Sequence, residues 1–242
     1  MEFIMRILGE KISYQYQKNH WALKDISLDI AQGEKVAIIG PNGAGKSTLL
    51  SIINGELQPH QGNINIKLAD GSEIPPVLKG YVPQNIALFE HLSIFDNLHY
   101  FGTMYGVEKH ELKERIEQLC QDLLPEKSSS TKVKQLSGGM KRRVNLMCAL
   151  IHHPHLVILD EPTVGVDIVS KDKIVAFIKS YQAKHNAILI YTSHLMIETT
   201  EICDKVIFID KGVIIDKGFI PDLLNKYNKS NLKEVFVEIM FK

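Results

Sequence analysis

Stretches of alternating or unbroken branched apolar residues predict β-strands near both ends of the chain. At the amino-terminal end these stretches are residues 3–8, 26–30, 35–39 and 63–68. Three more follow at 156–160, 187–192 and 206–210. The spacing of residues 168–184 predicts a crossover helix between the first two of these three, which indicates that those two strands run parallel.

The middle of the chain, residues 94–152, has the apolar spacing of helices instead. Ser93 and Asp96 resemble a helix cap, and the stripe behind them is Ile94, Leu98, Phe101 and Tyr105. Residues 109–124 and 138–152 predict two further helices. The expected fold class is therefore α/β, with a helical insert that interrupts a sheet-based domain.

Two signals describe the end of the chain. Lys211 and Gly212 separate two apolar stretches and predict a tight hairpin. Asn231 and Glu234 have the spacing of a capping box, and a closing helix with one apolar stripe is expected behind them. The stripe consists of Leu232, Val235, Phe236, Ile239 and Met240.

Composition narrows the classes of partner. The chain has 242 residues, and Lys+Arg and Asp+Glu both number 28, so no global basic excess favours nucleic acid. Its longest apolar runs are far below the ~20 residues that span a bilayer, and its first residues lack a signal-peptide pattern. The three cysteines fit no metal or disulfide spacing, so we expect buried small side chains in a reducing compartment.

Residues 40–48, GPNGAGKST, match the phosphate-loop pattern G-x-x-x-x-G-K-[ST] between a predicted strand and a predicted helix. Glycines let backbone N–H groups turn towards phosphates, and the helix N-terminus adds partial positive charge. Lys46 is expected to reach the β- and γ-phosphates, and the Ser47 hydroxyl to bind Mg²⁺. The candidate nucleotide-binding residues are Gly40, Pro41, Asn42, Gly43, Ala44, Gly45, Lys46, Ser47 and Thr48.

A second acidic signal ends the strand at 156–160. Asp160 and Glu161 follow four apolar residues where the strand leaves the sheet. Asp160 is expected to hold the metal, largely through its water, and Glu161 to polarise the attacking water. Two surface acids at a strand end are the alternative.

The stretch LSGGM, residues 136–140, stands at the start of a predicted helix. The Ser137 hydroxyl and the bare N–H groups of Gly138 and Gly139 form a candidate anion site there. One exposed helix end contributes only about 0.3–1 kcal/mol to the binding of an anion. We therefore interpret LSGGM as half of a binding site whose other half belongs to a second chain. A helix cap without a ligand is the alternative.

Together these motifs resemble the nucleotide-binding subunit of ATP-binding-cassette (ABC) transporters over nearly the whole chain. GPNGAGKST resembles the family's Walker A, YVPQ its Q-loop, LSGGM its signature, LVILDEP its Walker B, and TSH its switch-histidine loop. The resemblance implies a P-loop NTPase core with a mainly parallel sheet and an N-terminal antiparallel β subdomain. Its nucleotide-binding core would comprise residues 1–84 and 156–242, and its α-helical insert about 85–155.

The resemblance also assigns roles to individual residues. Tyr16 would stack on adenine, with Tyr14 as the rival. Gln84 would contact Mg²⁺ or the water, and His194 would contact the γ-phosphate. Ser137, Gly138 and Gly139 would contact the γ-phosphate bound by a partner subunit, and Asp167 resembles the D-loop aspartate. The cofactors implied are ATP and Mg²⁺. The ligands of Mg²⁺ would be Ser47, Gln84 and Asp160.

The implied function is an ATPase of a transporter that works with a second copy or a paralogue and with a separate membrane permease, on the cytoplasmic face of the membrane. Met140 and the stretch TVGVD before residue 168 depart from the commoner family pattern and resemble an exporter branch. A soluble ABC ATPase in cofactor assembly is the alternative, while LSGGM and TSH argue against a P-loop kinase.

Three surface features have less specific interpretations. The exposed members of Phe89, Leu92, Phe95, Tyr100 and Tyr105 would form a docking groove for the permease, or these aromatics fill the insert's own core. The histidines at 152, 153 and 155 are interpreted as a polar loop rather than a metal site. The run at 141–143, KRR, is interpreted as a solvated helix face.

Overall fold

A computed structural model describes residues 5–18, 20–193 and 196–240. The chain divides into a first unit, residues 1–74 with 187–242, and a second unit, residues 75–186. In chain order the elements are β1 (Met5–Gln17), β2 (His20–Ala31), β3 (Lys35–Ile39), α1 (Lys46–Asn54), β4 (Gln61–Leu68), β5 (Lys79–Val82), α2 (Ile94–Met104), α3 (Lys109–Leu123), α4 (Gly138–Leu150), β6 (Leu156–Asp160), α5 (Ile168–His185), β7 (Ile188–Thr192), α6 (Met196–Ile202), β8 (Lys205–Asp210), β9 (Val213–Phe219), α7 (Ile220–Tyr227) and α8 (Leu232–Met240).

An antiparallel sheet of order β2-β1-β4 opens the first unit. Met5 and Ile7 are buried while Arg6 and Leu8 are exposed, the alternation of a sheet with one covered face. β1 and β2 are longer than predicted because the strands continue through register shifts beyond Gly9, where Lys11 adopts a φ of 49°. The expected N-terminal antiparallel β sheet is confirmed.

A second sheet segment of the first unit has the order β7-β3-β8-β9. β3 runs parallel to both β7 and β8, and its apolar residues are buried, as in strands covered on both faces. The predicted hairpin is confirmed, because β8 and β9 pair antiparallel and Lys211 and Gly212 both have positive φ. The closing helix is confirmed as α8, whose Glu234 N–H donates to Asn231 Oδ1 over 3.0 Å.

The second unit combines the parallel pair β5-β6 with α2, α3, α4 and α5. The predicted cap of α2 is confirmed as a full capping box between Ser93 and Asp96. β5 has only four residues, including Gly80, and was not predicted from the pattern. Within the described ranges, no helix is long and apolar enough to cross a membrane.

The interpretation of residues 141–143 as a solvated face is wrong. Arg142 and Arg143 are only 7% and 3% exposed, and each guanidinium donates to backbone carbonyl groups of the second unit. A long side chain can cross apolar surface to reach a buried acceptor, so charge in the sequence did not indicate exposure here.

The histidine stretch after α4 is also more buried than predicted. It is a connection, as expected, but His152 is buried, its ring stacks on that of Tyr105 at 3.9 Å between centroids, and its Nε2 lies 2.9 Å from Lys79 O. Burial lowers the pKa of His152 to about 4, with Arg115 adding to the shift and the Lys79 carbonyl opposing it.

This buried imidazole makes stability depend on pH. In the unfolded chain the pKa of His152 returns to about 6.5, so the unfolded state takes up the extra proton between pH 6.5 and 4. The contribution is complete above pH 6.5 and is lost as pH falls towards 4, on the order of 3 kcal/mol for such a shift. We expect thermal unfolding of His152→Phe, which keeps an aromatic ring against Tyr105, to depend less on pH in this window than that of the unmodified chain. Parallel pH profiles for the two proteins would contradict this.

Candidate functional site

The phosphate loop lies between the end of β3 and the start of α1, in the first unit. A Cβ at Gly40 would lie 2.1 Å from the backbone oxygen of Ile209, and one at Gly45 would lie 2.6 Å from that of Ala22. Both positions therefore admit only glycine without a backbone shift, and Gly45 also has a φ of 104°.

Neighbouring backbone braces this loop. The Gly212 N–H donates to Ala44 O over 3.0 Å, and Lys24 N–H donates to Gly212 O over 2.8 Å. The β8–β9 turn is thus bonded to the loop on one side and to β2 on the other. The loop is a preformed cradle of backbone groups.

Lys46, the first residue of α1, is 6% exposed, and its Nζ donates to Gly40 O and Pro41 O over 2.9 and 3.0 Å. The ammonium group is therefore held across the loop by the loop's own carbonyls. The first turn of α1 contains no acidic residue, so lysine and helix dipole both favour an anion.

An exposed aromatic ring stands beside this loop. The Tyr16 hydroxyl lies 3.2 Å from Thr48 Oγ1, and the Tyr16 ring is 64% exposed. Tyr14 is half-buried, with its ring centroid 5.1 Å from that of Tyr16 and 4.8 Å from that of His60. Of the two candidates for base stacking, Tyr16 has the open face.

The second unit carries the acidic pair at the end of β6. Asp160 and Glu161 are 3% and 5% exposed, and Glu161 has a φ of 50°, a conformation that costs energy for a residue with a side chain. Gln84 Nε2 donates to Glu161 Oε2 over 2.8 Å, joining motifs 77 residues apart. Two buried carboxylates beside an amide are the oxygen donors that Mg²⁺ prefers.

The N-terminus of α4 has one open glycine and one packed glycine. Ser137 caps the helix, because its Oγ accepts from Met140 N–H over 3.3 Å. Gly138 is exposed, and a Cβ there would contact nothing within 4 Å, whereas one at Gly139 would lie 2.9 Å from Asp167 Oδ2. Asp167 itself caps α5 by accepting from Ser170 N–H, a bond that lowers its pKa.

The predicted site residues therefore form two groups. The first unit holds Tyr16 and the loop 40–48, and the second holds Gln84, Ser137–Gly139, Asp160–Glu161 and Asp167. His194 lies outside the described residues. The pattern missed Arg142, whose Nη1 donates to Pro83 O and Gln84 O. The available signal was the three-residue spacing of Arg142 and Asn145, which places both on one side of α4.

Beside α2 lies a groove in the second unit, lined by Leu92, Phe95, Asp96, His99, Tyr100, Thr103 and Met104. Leu92, Tyr100 and Met104 are exposed, as is the adjacent Phe89. Tyr105 instead stacks on buried His152. The predicted aromatics are therefore a mixture of open surface and packing.

A glycine-rich loop after a parallel strand, a lysine at the helix start and a buried acidic strand end define a P-loop nucleotide-binding protein. Residues 23–164, more than half of the chain, match the family model described as ABC transporter. The chain belongs to the ABC transporter family.

Relatives and solved structures agree with this family. The chain is 38% identical over 205 residues to the linearmycin resistance ATP-binding protein LnrL of Bacillus subtilis (strain 168), covering 84% of this chain and 65% of that protein. It is 36% identical over 220 residues to the ABC transporter ATP-binding protein NatA of the same organism, covering 89% of each. A solved ATP binding subunit of an ABC transporter is 27% identical with a TM-score of 0.85, covering 97% of this chain and 99% of that one.

The glycines give a direct test of the site geometry. Gly40→Ala should lower the melting temperature by several degrees because the new Cβ meets backbone that cannot move independently. Gly138→Ala should leave it unchanged or slightly higher, since the methyl group enters open space and alanine is the better helix former. Thermal unfolding by circular dichroism measures both; equal losses would contradict the described packing.

Proposed function

We propose that this chain is the ATP-binding and ATP-hydrolysing subunit of an ABC transporter. Two such subunits close on two MgATP and drive solute export through separate membrane subunits. The observation that carries this proposal is the hydrogen bond between Gln84 and buried Glu161. It supports the assignment of both residues to one reaction centre.

Residues of the first unit would bind the nucleotide. Backbone N–H groups of residues 42–45 would surround the phosphates, and Lys46 would exchange its loop carbonyls for phosphate oxygens. The hydroxyl of Thr48 and the ring of Tyr16 would complete the site. We assign adenine stacking to Tyr16 rather than Tyr14 because its face is exposed beside Thr48.

Ser47, Gln84 and Asp160 would hold Mg²⁺, and the burial of Asp160 fits a carboxylate whose charge is offset by a cation. When bound, the ion neutralises charge on the transferred phosphate. Glu161 would take up the proton of the attacking water, with Gln84 donating to its other oxygen and His194 orienting the γ-phosphate.

The signature residues would complete the site of a second subunit. Ser137 and Gly138 are exposed at a helix N-terminus whose first turn contains no acid. Such an end contributes only about 0.3–1 kcal/mol alone, so it gains its role by facing phosphate held by another chain's loop. Asp167 caps α5 beside Gly139 and would keep this face in place.

Hydrolysis would reopen the pair, and the insert of about residues 85–155 would transmit the motion to a permease. The exposed side chains of Leu92, Tyr100 and Met104 form the surface on which we place that contact. We place the complex peripherally on the cytoplasmic face of the membrane.

Export is favoured by the names of similar proteins. The chain is 37% identical over 191 residues to the Nod factor export ATP-binding protein I of Sinorhizobium fredii (strain NBRC 101917 / NGR234), of which it covers 54%. The molybdate/tungstate import protein WtpC of Pyrococcus horikoshii (strain ATCC 700860 / DSM 12428 / JCM 9974 / NBRC 100139 / OT-3) is less similar, at 32%. We therefore assign the direction as export.

Glu161→Gln tests the reaction centre. It should retain ATP binding, because the amide keeps the size of the carboxylate, while turnover falls by at least about 100-fold through loss of the base. ATP bound but not hydrolysed should hold two subunits together. Size-exclusion chromatography with light scattering should show an ATP-dependent shift from monomer to dimer, and turnover near the normal rate would contradict the role of Glu161.

Ser137→Arg in the Glu161→Gln background is the matched control for dimerisation. The added side chain occupies the open helix end and blocks the approach of a second chain. This double variant should therefore remain a monomer, and it should bind ATP as tightly as a monomer of the Glu161→Gln variant does. Equal loss of nucleotide binding would place the signature in the chain's own site instead of a partner's.

Tyr16 variants test the assignment of the base contact. Tyr16→Leu should weaken binding of ATP by roughly 10-fold, since stacking contributes about 1–3 kcal/mol, and should leave binding of inorganic triphosphate unchanged. Tyr16→Phe keeps the ring and should bind ATP nearly normally. Calorimetric titration measures both ligands, and a larger loss for Tyr14→Leu than for Tyr16→Leu would reverse the assignment.

A further inference from the structure

We infer that Arg142 is a positioning residue for ATP hydrolysis. Arg142 fixes the start of residues 83–89, called here the Gln84 segment, to the signature helix α4. The inference rests on the proposed function, since it concerns the rate of the same reaction. It assigns a role to a residue that the sequence pattern placed on the solvent-exposed face of the helix.

The contacts of Arg142 are directed at one short stretch of backbone. Its Nη1 donates to Gln84 O over 2.8 Å and to Pro83 O over 3.2 Å. Arg142 is 7% exposed, so water competes little for these hydrogen bonds. They are charge-assisted, and such bonds are stronger than those between neutral groups. One guanidinium nitrogen therefore holds two successive carbonyl groups.

The same stretch of backbone supports the reaction centre. Gln84 Nε2 donates to Glu161 Oε2 over 2.8 Å, and this side chain starts from the backbone that Arg142 holds. A shift of about 1 Å in a positioning group is enough to cost roughly 100-fold in rate. Loss of Arg142 would release the peptide from which Gln84 reaches Glu161.

A second residue of α4 fixes the next part of the segment. Asn145, one turn after Arg142, is 4% exposed, and its Oδ1 accepts from Ala87 N–H over 3.2 Å. Beyond it, buried Asn97 accepts from Phe89 N–H over 2.9 Å. Side chains thus hold the backbone at 83–84, 87 and 89, between the reaction centre and the groove.

The helix that carries Arg142 begins at the proposed contact with the partner's phosphate. Ser137 and Gly138 start α4, and Arg142 lies about one turn further along. A helix turn is stiff, so a phosphate that orders the start of α4 would order the backbone of Gln84 through Arg142. The geometry therefore links binding at the signature to the water-activating residues of the same chain.

A double-mutant cycle in the full chain tests the inference. Arg142→Met, which keeps a long buried side chain, should lower kcat for ATP at least about 10-fold while KM changes less than about 3-fold. Gln84→Ala should lower kcat as well. Because Arg142 is inferred to act through the Gln84 side chain, which Gln84→Ala removes, the double variant should be no slower than the slower single variant within about 2-fold.

Arg115→Met is the matched control. Arg115 belongs to the same unit and donates to the backbone carbonyl of Ile151 and to Glu111, away from the Gln84 segment. Its kcat should stay within about 2-fold of the unmodified chain. If Arg142→Met does not fold, as judged by its thermal unfolding, Arg142→Gln is measured by the same criteria.

The outcomes separate this inference from the proposed function. The positioning role alone would be overturned if the losses in kcat of Arg142→Met and Gln84→Ala multiply in the double variant. Normal turnover of Arg142→Met would overturn it as well. Absence of ATP turnover by the unmodified chain at high concentration would contradict the proposed function, and the inference would fall with it. If kcat falls without the two losses multiplying, and KM stays nearly constant, the result supports both the positioning role and the proposed function.

Discussion

Close approach of backbone to backbone around the phosphate loop is the constraint on which the first unit depends. Gly40 lies against the carbonyl of Ile209, and Gly45 and Gly212 lie against that of Ala22. Hydrogen bonds from Gly212 to Ala44 and from Lys24 to Gly212 close the arrangement. A loop braced in this way keeps its N–H groups oriented before any ligand arrives, so little ordering entropy opposes binding.

The signature end of α4 is built on the opposite principle. Only Gly139 is packed, against Asp167 and Ser170, while Ser137 and Gly138 stay at the surface. An exposed helix end is too weak to bind phosphate alone. A preformed loop and an open helix end are therefore the two kinds of surface on which our proposal of a site shared between two chains rests.

The sequence predicted the elements with strong local signals. The strand 156–160 was predicted with its observed limits, and so was the capping box of α2. It underestimated β1 because the register shifts after Gly9 break the alternation that defines a strand. Tyr16 and Tyr14 lie on one strand, so the sequence left both as candidates for base stacking, and the exposure of Tyr16 is the observation behind our proposal.

Buried polar residues were the harder part, because the sequence does not state which acceptor a long side chain will find. Arg142 was interpreted as part of a solvated helix face and His152 as part of a polar loop, yet each is buried against a backbone carbonyl group. Burying a guanidinium costs free energy that an apolar side chain of the same length would not. Arg142 meets that cost between two other basic residues of α4, Lys141 and Arg143, and its acceptors belong to the segment of Gln84. The presence of a cation at such a position is better explained by the backbone that it fixes than by the stability of α4.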